Sequence, residues 1–376
     1  MAGKQSTAKA EVVGSLLQPE RLLEARKRLA AGEIDASELA KIEDETVLEC
    51  IAIQEGVGLD VITDGEMRRP GWADTARHLG GLEARPGERS YPANVHLAAG
   101  GGGGGSNSAF AGGFPTVVGK IHPLEGYKVG EEYPYLTQHT NSRTKYTMAA
   151  PSYHRRYWSD ELSTSAYPSC EDFLSDVRDW LHGVAEWLVS QGCDYIQLDA
   201  PNYGSLCDPD NRAFHKEHGH DLDAQLAFDG KLDSSVFDGL DGVTRALHVC
   251  RGNMPGGTWH SSGGYGAIAD QLFPNLDVDV VLLEYDSDRA GDFGPISAID
   301  PESTVVLGLL TTKAGELEDR GVVESRIAEA GRHHPAANFA LSTQCGFASA
   351  ANAPMSPEEQ RAKLQLISDV AHSTWS

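Results

Sequence analysis

The chain has 376 residues, 40% of them hydrophobic, and no apolar run approaches the roughly 18 to 20 residues that a membrane helix requires. Its 31 basic and 55 acidic residues leave a formal charge of −24, which repels a nucleic-acid backbone. The first residues carry no apolar stretch behind a basic region, and the six cysteines are widely spaced, so a cytoplasmic protein with free thiols or metal ligands is expected.

In chain order, residues 11–15 predict a short buried strand closing on Gly14-Ser15, and Pro19 helps to start a helix. Apolar residues at helical spacing over 22–29 and 36–54 predict two helices, followed by a strand at 59–63 that ends in Asp64-Gly65-Glu66. From 67 to 143 the pattern weakens into an expected insertion. Its glycine run, Gly100 to Gly105 near 98–106, reads as a flexible loop, and 116–121 as one arm of a hairpin. Alternation then resumes, with strands at 145–150, 195–198, 246–250, 278–283, 305–310 and 339–343. Helices are expected at 171–190, 264–272, 322–330 and from 357 onward. Eight strands, near residues 12, 61, 147, 196, 248, 281, 307 and 341, with mostly helical crossovers predict one α/β domain over 1–376. The expected architecture is a (β/α)8 TIM barrel with a loop and hairpin insertion after the second strand. An open doubly wound sheet is the alternative.

The chemistry-bearing residues gather at strand ends. His248 and Cys250 are two apart on one strand, so both side chains face the same way and can address one metal ion. Alone, a His beside a Cys is more often packing. Two later apolar runs end in Glu284 and Cys345, and His, Cys, Glu and Cys together suit zinc. Two thiolates and a carboxylate would leave a bound thiol electron-rich, which fits an attacking sulfur better than an activated water. Ser15, Glu66 and Asp199 end three other strands and could ring a small polar substrate. The plainer reading is that Asp64 and Glu66 start a helix and that Asp199 caps the turn at Pro201. Arg155, Arg156 and Trp158 follow a further strand end, where they could stack a planar donor or hold an anionic tail, or form an ordinary surface loop. His215, His218 and His220 sit among charged residues and are expected on a solvated face, and Cys207 is expected to be an ordinary thiol.

These landmarks resemble the catalytic barrel of the cobalamin-independent methionine synthase family. They are Val13-Gly14-Ser15, Asp60 to Glu66, Leu198-Asp199-Ala200-Pro201, His248-Val249-Cys250, Leu283-Glu284 and Gln344-Cys345-Gly346. The resemblance implies a (β/α)8 barrel with Zn2+ on His248, Cys250, Glu284 and Cys345, and an amino-acid thiol held by Ser15, Glu66 and Asp199. It implies methyl transfer from a folate to homocysteine, giving methionine. The chain departs from the long enzymes in starting directly at the catalytic barrel. It also departs in having Ala200 where they have an acidic residue, and Thr311-Thr312-Lys313 where they have an Asp-x-His pair. The expected function is therefore a zinc-dependent thiol alkyltransferase with a folate, or a corrinoid carried by a partner protein, as methyl donor. One rival is epoxide opening of the epoxyalkane:coenzyme M transferase type, favoured if Arg155 and Arg156 face the pocket. Another is a non-catalytic zinc-binding protein.

Overall fold

The computed structural model describes residues 8–69, 71, 78–85, 90–91, 114–125, 129–254, 257–348 and 354–375; the glycine run at 100–105 lies outside them. The chain forms strands β1 (Val61–Ile62), β2 (Leu79–Arg85), β3 (Phe114–Pro123), β4 (Arg143–Thr144), β5 (Tyr146–Ala149) and β6 (Tyr195–Asp199). It continues with β7 (Thr244–Val249), β8 (Asn253–Met254), β9 (Thr258–Trp259), β10 (Val280–Glu284), β11 (Thr304–Leu310) and β12 (Phe339–Thr343). Six of these make one all-parallel sheet in the order β12-β11-β10-β7-β6-β5. A sheet of this kind needs long crossovers, and helices supply most of them. Among the described residues, β2 with β3 and β8 with β9 form antiparallel pairs.

The two earliest predicted strands are much shorter than the sequence suggests. Of residues 11–15 only Glu11 makes a parallel bridge, to Val61, beside one from Ala10 to Leu341, and β1 is only two residues long and pairs with β4. Side chains replace the ladder just beyond. The Thr63 hydroxyl donates to the Gly14 carbonyl at 2.7 Å, and the Gln54 amide bonds both the Thr63 N–H (3.0 Å) and its carbonyl (2.8 Å). The backbone polar groups there are satisfied without a longer strand. The helix expected over 264–272 is likewise reduced to Ala269–Leu272 behind a single turn at Tyr265–Ala267, where Gly264 and Gly266 weaken helical continuity.

The other helices follow their local signals. Ser169 caps helix Cys170–Ser190 by accepting from the Asp172 N–H, and Phe173, Leu174, Val177, Leu181, Ala185 and Leu188 form its buried stripe. Asp35 and Asp319 cap helices Ala36–Val57 and Arg320–Ala330 in the same way, and Gly58, at φ 78°, ends the former. Strand alternation divides the interior in two. Leu247, Val249, Val281, Leu283, Val305 and Leu307 pack toward the helices, whereas Val13, Val61, Tyr195, Ala246, Val280, Leu282, Val306 and Ala340 form a separate cluster on the opposite face. His248 and Glu284 stand two residues beyond Ala246 and Leu282 on that second face, so the pleat carries them to one end of the sheet. Among the described residues no helix is long and apolar enough to cross a membrane.

Candidate metal centre

The strand period brings four side chains together. His248 is the penultimate residue of β7, Cys250 follows its last residue, Glu284 ends β10, and Cys345 lies two residues past β12. One ligand atom from each lies within 4.8 Å of all the others, and all four residues are buried. The Cys250 and Cys345 sulfurs are 3.6 Å apart. A tetrahedral zinc with bonds of about 2.3 Å to sulfur would set that edge at roughly 3.8 Å. His248 Nε2 lies 3.9 Å from Glu284 Oε1 and, although buried, has no hydrogen-bond partner. An orphaned buried nitrogen turned toward two thiols and a carboxylate fits a metal ligand.

The electrostatics make the same demand. Burial opposes protonation of His248, but the hydrogen bond to Asp199 and the negative potential of Cys345, Asp199 and Glu284 outweigh it and raise the imidazole to about 9. The hydrogen bond with Cys345 holds the Cys250 thiol well above the usual range, and burial and the charges of Cys345 and Glu284 add to this. The buried cluster thus favours positive charge, and a bound cation would meet that demand and release the protons.

Partners outside the cluster hold these side chains in place. Asp199 Oδ1 is 3.1 Å from His248 Nδ1, the residue it pairs with in register across β6 and β7. Glu284 accepts the Arg251 N–H at 2.7 Å on Oε1, and the Arg289 guanidinium lies 3.4 Å from Oε2. Carboxylate-to-histidine contacts of this kind orient metal-binding imidazoles. Arg289 also faces Asp286 at 3.7 Å, and Asp286 is ion-paired with Lys313.

Of Ser15, Glu66 and Asp199, it is Asp199 that contacts this centre directly, through His248. Ser15 lies against the chain just past Cys345, where its carbonyl accepts from the Phe347 N–H (2.9 Å) and its hydroxyl from the Ala348 N–H (3.2 Å). Glu66 Oε1 accepts from the Thr147 hydroxyl at 2.8 Å and packs so tightly over Gly14 that a Cβ there would sit 2.5 Å from it. Burial raises the Glu66 carboxyl; nearby Arg69 offsets part of this and Asp199 adds to it, leaving it at about 7. Glu66 is the one described non-glycine residue with a positive φ, at 59°.

The aromatic and arginine segment is built into the turn Pro151–Tyr157 after β5. Arg155 is buried and paired with Asp229 at 2.5 Å and Glu171 at 2.9 Å, and the Arg156 guanidinium lies 4.8 Å from the Tyr153 ring centroid. The buried Trp158 stacks on Phe173 and donates from its indole to Asp160 at 2.7 Å. The histidine cluster is not uniformly solvated. His215 is buried, with its Nδ1 2.8 Å from that of His220, whose ring stacks on Tyr91. Thr147, Arg251, Arg289 and Gln197 were not picked out as site residues. Of these, only Gln197 had a signal, being two residues from Asp199 and so on the same face of β6.

No protein-family model matches the chain. YxjH of Bacillus subtilis is 32% identical over 380 residues, covering 99% of this chain and 96% of its own. The methionine synthase of Sulfurisphaera tokodaii is 26% identical over 242 residues, covering 64% and 61%. A structure from Listeria monocytogenes, assigned as a vitamin-B12-independent methionine synthase, superposes with a TM-score of 0.73 at 26% identity, over 98% of both chains. With that likeness running end to end, the chain belongs to the cobalamin-independent methionine synthase family.

Proposed function

We propose that the chain is a zinc-dependent methyltransferase acting on the sulfur of homocysteine or a similar thiol, with methionine as the product in the homocysteine case. The observation that carries this reading is the buried convergence of His248, Cys250, Glu284 and Cys345 from three parallel strands of one sheet, in a chain of this family. Zinc held there would lower the pKa of a thiol and keep the sulfur as thiolate, its nucleophilic form. The chain's own residues account for binding and orientation. Glu66 and Asp199 offer two carboxylates to the amino group of the substrate, and an ammonium beside Glu66 would restore its ionised form. Ser15 offers a hydroxyl beside Cys345 to the same ligand. Thr147, and Arg69 at 4.0 Å, hold Glu66 in place, so the acceptor is oriented before a ligand arrives.

The reading includes a closed (β/α)8 barrel over 1–376 with an insertion at 67–143. β12 meets residue 10, residue 11 meets β1, and β1 pairs with β4, which runs into β5. The second apolar cluster draws residues from both the six-stranded sheet and these short segments, as a barrel interior would. It also includes a cytoplasmic setting and a methyl donor that is a folate or a corrinoid on a partner protein. The test is a screen of purified, zinc-loaded protein with homocysteine and coenzyme M against methyl-folate, methylcobalamin and a small epoxide, read by mass spectrometry of the thiol. Methylated homocysteine is the expected product. Zinc retention with no thiol alkylated by any donor would replace the reading with a non-catalytic zinc-binding protein.

A further inference from the structure

Gln197 and Asp199 share one face of β6, and the Gln197 amide is engaged at both ends. Its Oε1 lies 2.7 Å from the Lys145 Nζ, and its Nε2 lies 2.8 Å from Asp199 Oδ1. Lys145 also contacts Glu11 Oε2 at 2.7 Å, and the Tyr195 hydroxyl donates to the same carboxylate at 3.1 Å. Asp199 Oδ1 in turn meets His248 Nδ1 at 3.1 Å. Glu11, Lys145, Gln197, Asp199 and His248 are all buried.

An ammonium can only donate hydrogen bonds, and this sets the direction of the whole series. Lys145 forces the Gln197 oxygen toward itself, so the amide nitrogen must point at Asp199. Asp199 is thereby fixed as acceptor and His248 keeps a proton on Nδ1, so the proton that a metal would displace is the one on Nε2, which faces Cys250, Glu284 and Cys345. A buried ion pair is weak evidence for stability, since well-packed apolar residues usually serve as well. Lys145 and Glu11 therefore need a different reason to stand in the sheet interior.

We infer that Lys145 and Gln197 are positioning residues for the metal: a one-way hydrogen-bond series from the Glu11–Lys145 pair through Gln197 and Asp199 sets the tautomer and ring orientation of His248. This rests on the metal-site reading above. Gln197 touches neither ligand nor metal and acts through Asp199.

The test measures zinc affinity by competition with a chromophoric chelator and the visible band of the cobalt(II)-substituted protein. It compares the wild type, Gln197→Met, Asp199→Ala and the double variant. Loss of an outer partner typically weakens metal binding about 10- to 100-fold, and Gln197→Met is expected to fall in that range and to shift the cobalt band. In the Asp199→Ala background the same substitution is expected to change affinity by less than about twofold, because nothing remains to transmit its effect. Gln197→Glu is carried alongside as a near-isosteric variant that keeps the Lys145 contact but turns an oxygen toward Asp199, and the same loss is expected. A wild type that binds metal alongside Gln197 variants with unchanged affinity and cobalt spectrum overturns the inference, as do losses that simply add in the double variant. A wild type that binds neither zinc nor cobalt overturns the metal-site reading itself and takes this inference with it.

Discussion

Gly204, in the short helix Pro201–Ser205, presses against the backbone that carries Cys250. A Cβ at Gly204 would sit 2.1 Å from the Cys250 carbonyl oxygen and 3.0 Å from the Arg251 Cα. Close carbon-to-carbonyl contacts settle near 3.3 Å, so Gly204→Ala requires a separation of roughly 1 Å. Neither neighbour is a side chain that could rotate away. If the β7 end yields, the Cys250 sulfur moves several times farther than the roughly 0.2 Å a metal–ligand distance tolerates. Losing that ligand is expected to weaken zinc binding at least about 100-fold, or about 3 kcal/mol. If the helix yields instead, overpacking of this kind costs about 1–3 kcal/mol of stability. Chelator competition reads the first outcome, and calorimetric melting of the metal-free protein reads the second. Gly183→Ala is the control, since a Cβ there meets nothing within 4 Å on an ordinary helix and should be neutral or slightly stabilising. A Gly204→Ala protein with wild-type zinc affinity and wild-type melting would show that this close approach does not set the position of Cys250.

Three further outcomes are expected. Cys250→Ser and Cys345→Ser should each abolish stoichiometric zinc binding by metal analysis, and full retention in both would remove the basis of the site. Lys145→Met leaves the Glu11 carboxylate buried without its cation and should cost about 3–5 kcal/mol in urea unfolding, whereas adding Glu11→Gln should recover most of it; equal losses in the two proteins would argue against the pair. Glu66, raised by burial to about 7, is more easily protonated folded than unfolded. Its contribution to stability is present below about 4.5 and is lost as pH rises through about 7, on the order of 3 kcal/mol in all. Urea unfolding of Glu66→Gln against wild type at pH 5 and pH 8 should show the variant gaining relative stability at the higher pH. A gap independent of pH contradicts the raised carboxyl.

The four converging residues were legible in the sequence because chemistry and period coincide there. His248 and Cys250 are two apart at the end of an apolar run, and Glu284 ends another. What joins them to the rest of the site was not legible. Lys145, Gln197 and Glu11 meet across 52 and 134 residues of chain, and an inward-facing polar residue carries no mark of which distant partner it will meet. The first two strands were overestimated for a related reason. Apolar runs report burial, whereas the Gln54 and Thr63 side-chain bonds that end the ladder depend on a helix packed alongside. The exposure assigned to the histidine cluster failed at His215 because neighbouring charges describe the surface of helix Pro209–Glu217 and not the face it turns inward.

The left-handed backbone at Glu66 has an evolutionary consequence. Such a conformation disfavours a residue with a Cβ by about 1–2 kcal/mol, and Gly65, at φ 68°, already shows the residue that folding alone would choose. Burying a carboxyl at the same position adds to the penalty. If Glu66 binds the substrate amino group as proposed, thermal tolerance and ligand recognition favour different residues at one site, and Glu66→Gly is the exchange that separates them. On that proposal, lineages under heat selection alone should drift toward glycine there and keep a sturdier fold with a blunted site, whereas continuous demand for the ligand should retain the acid.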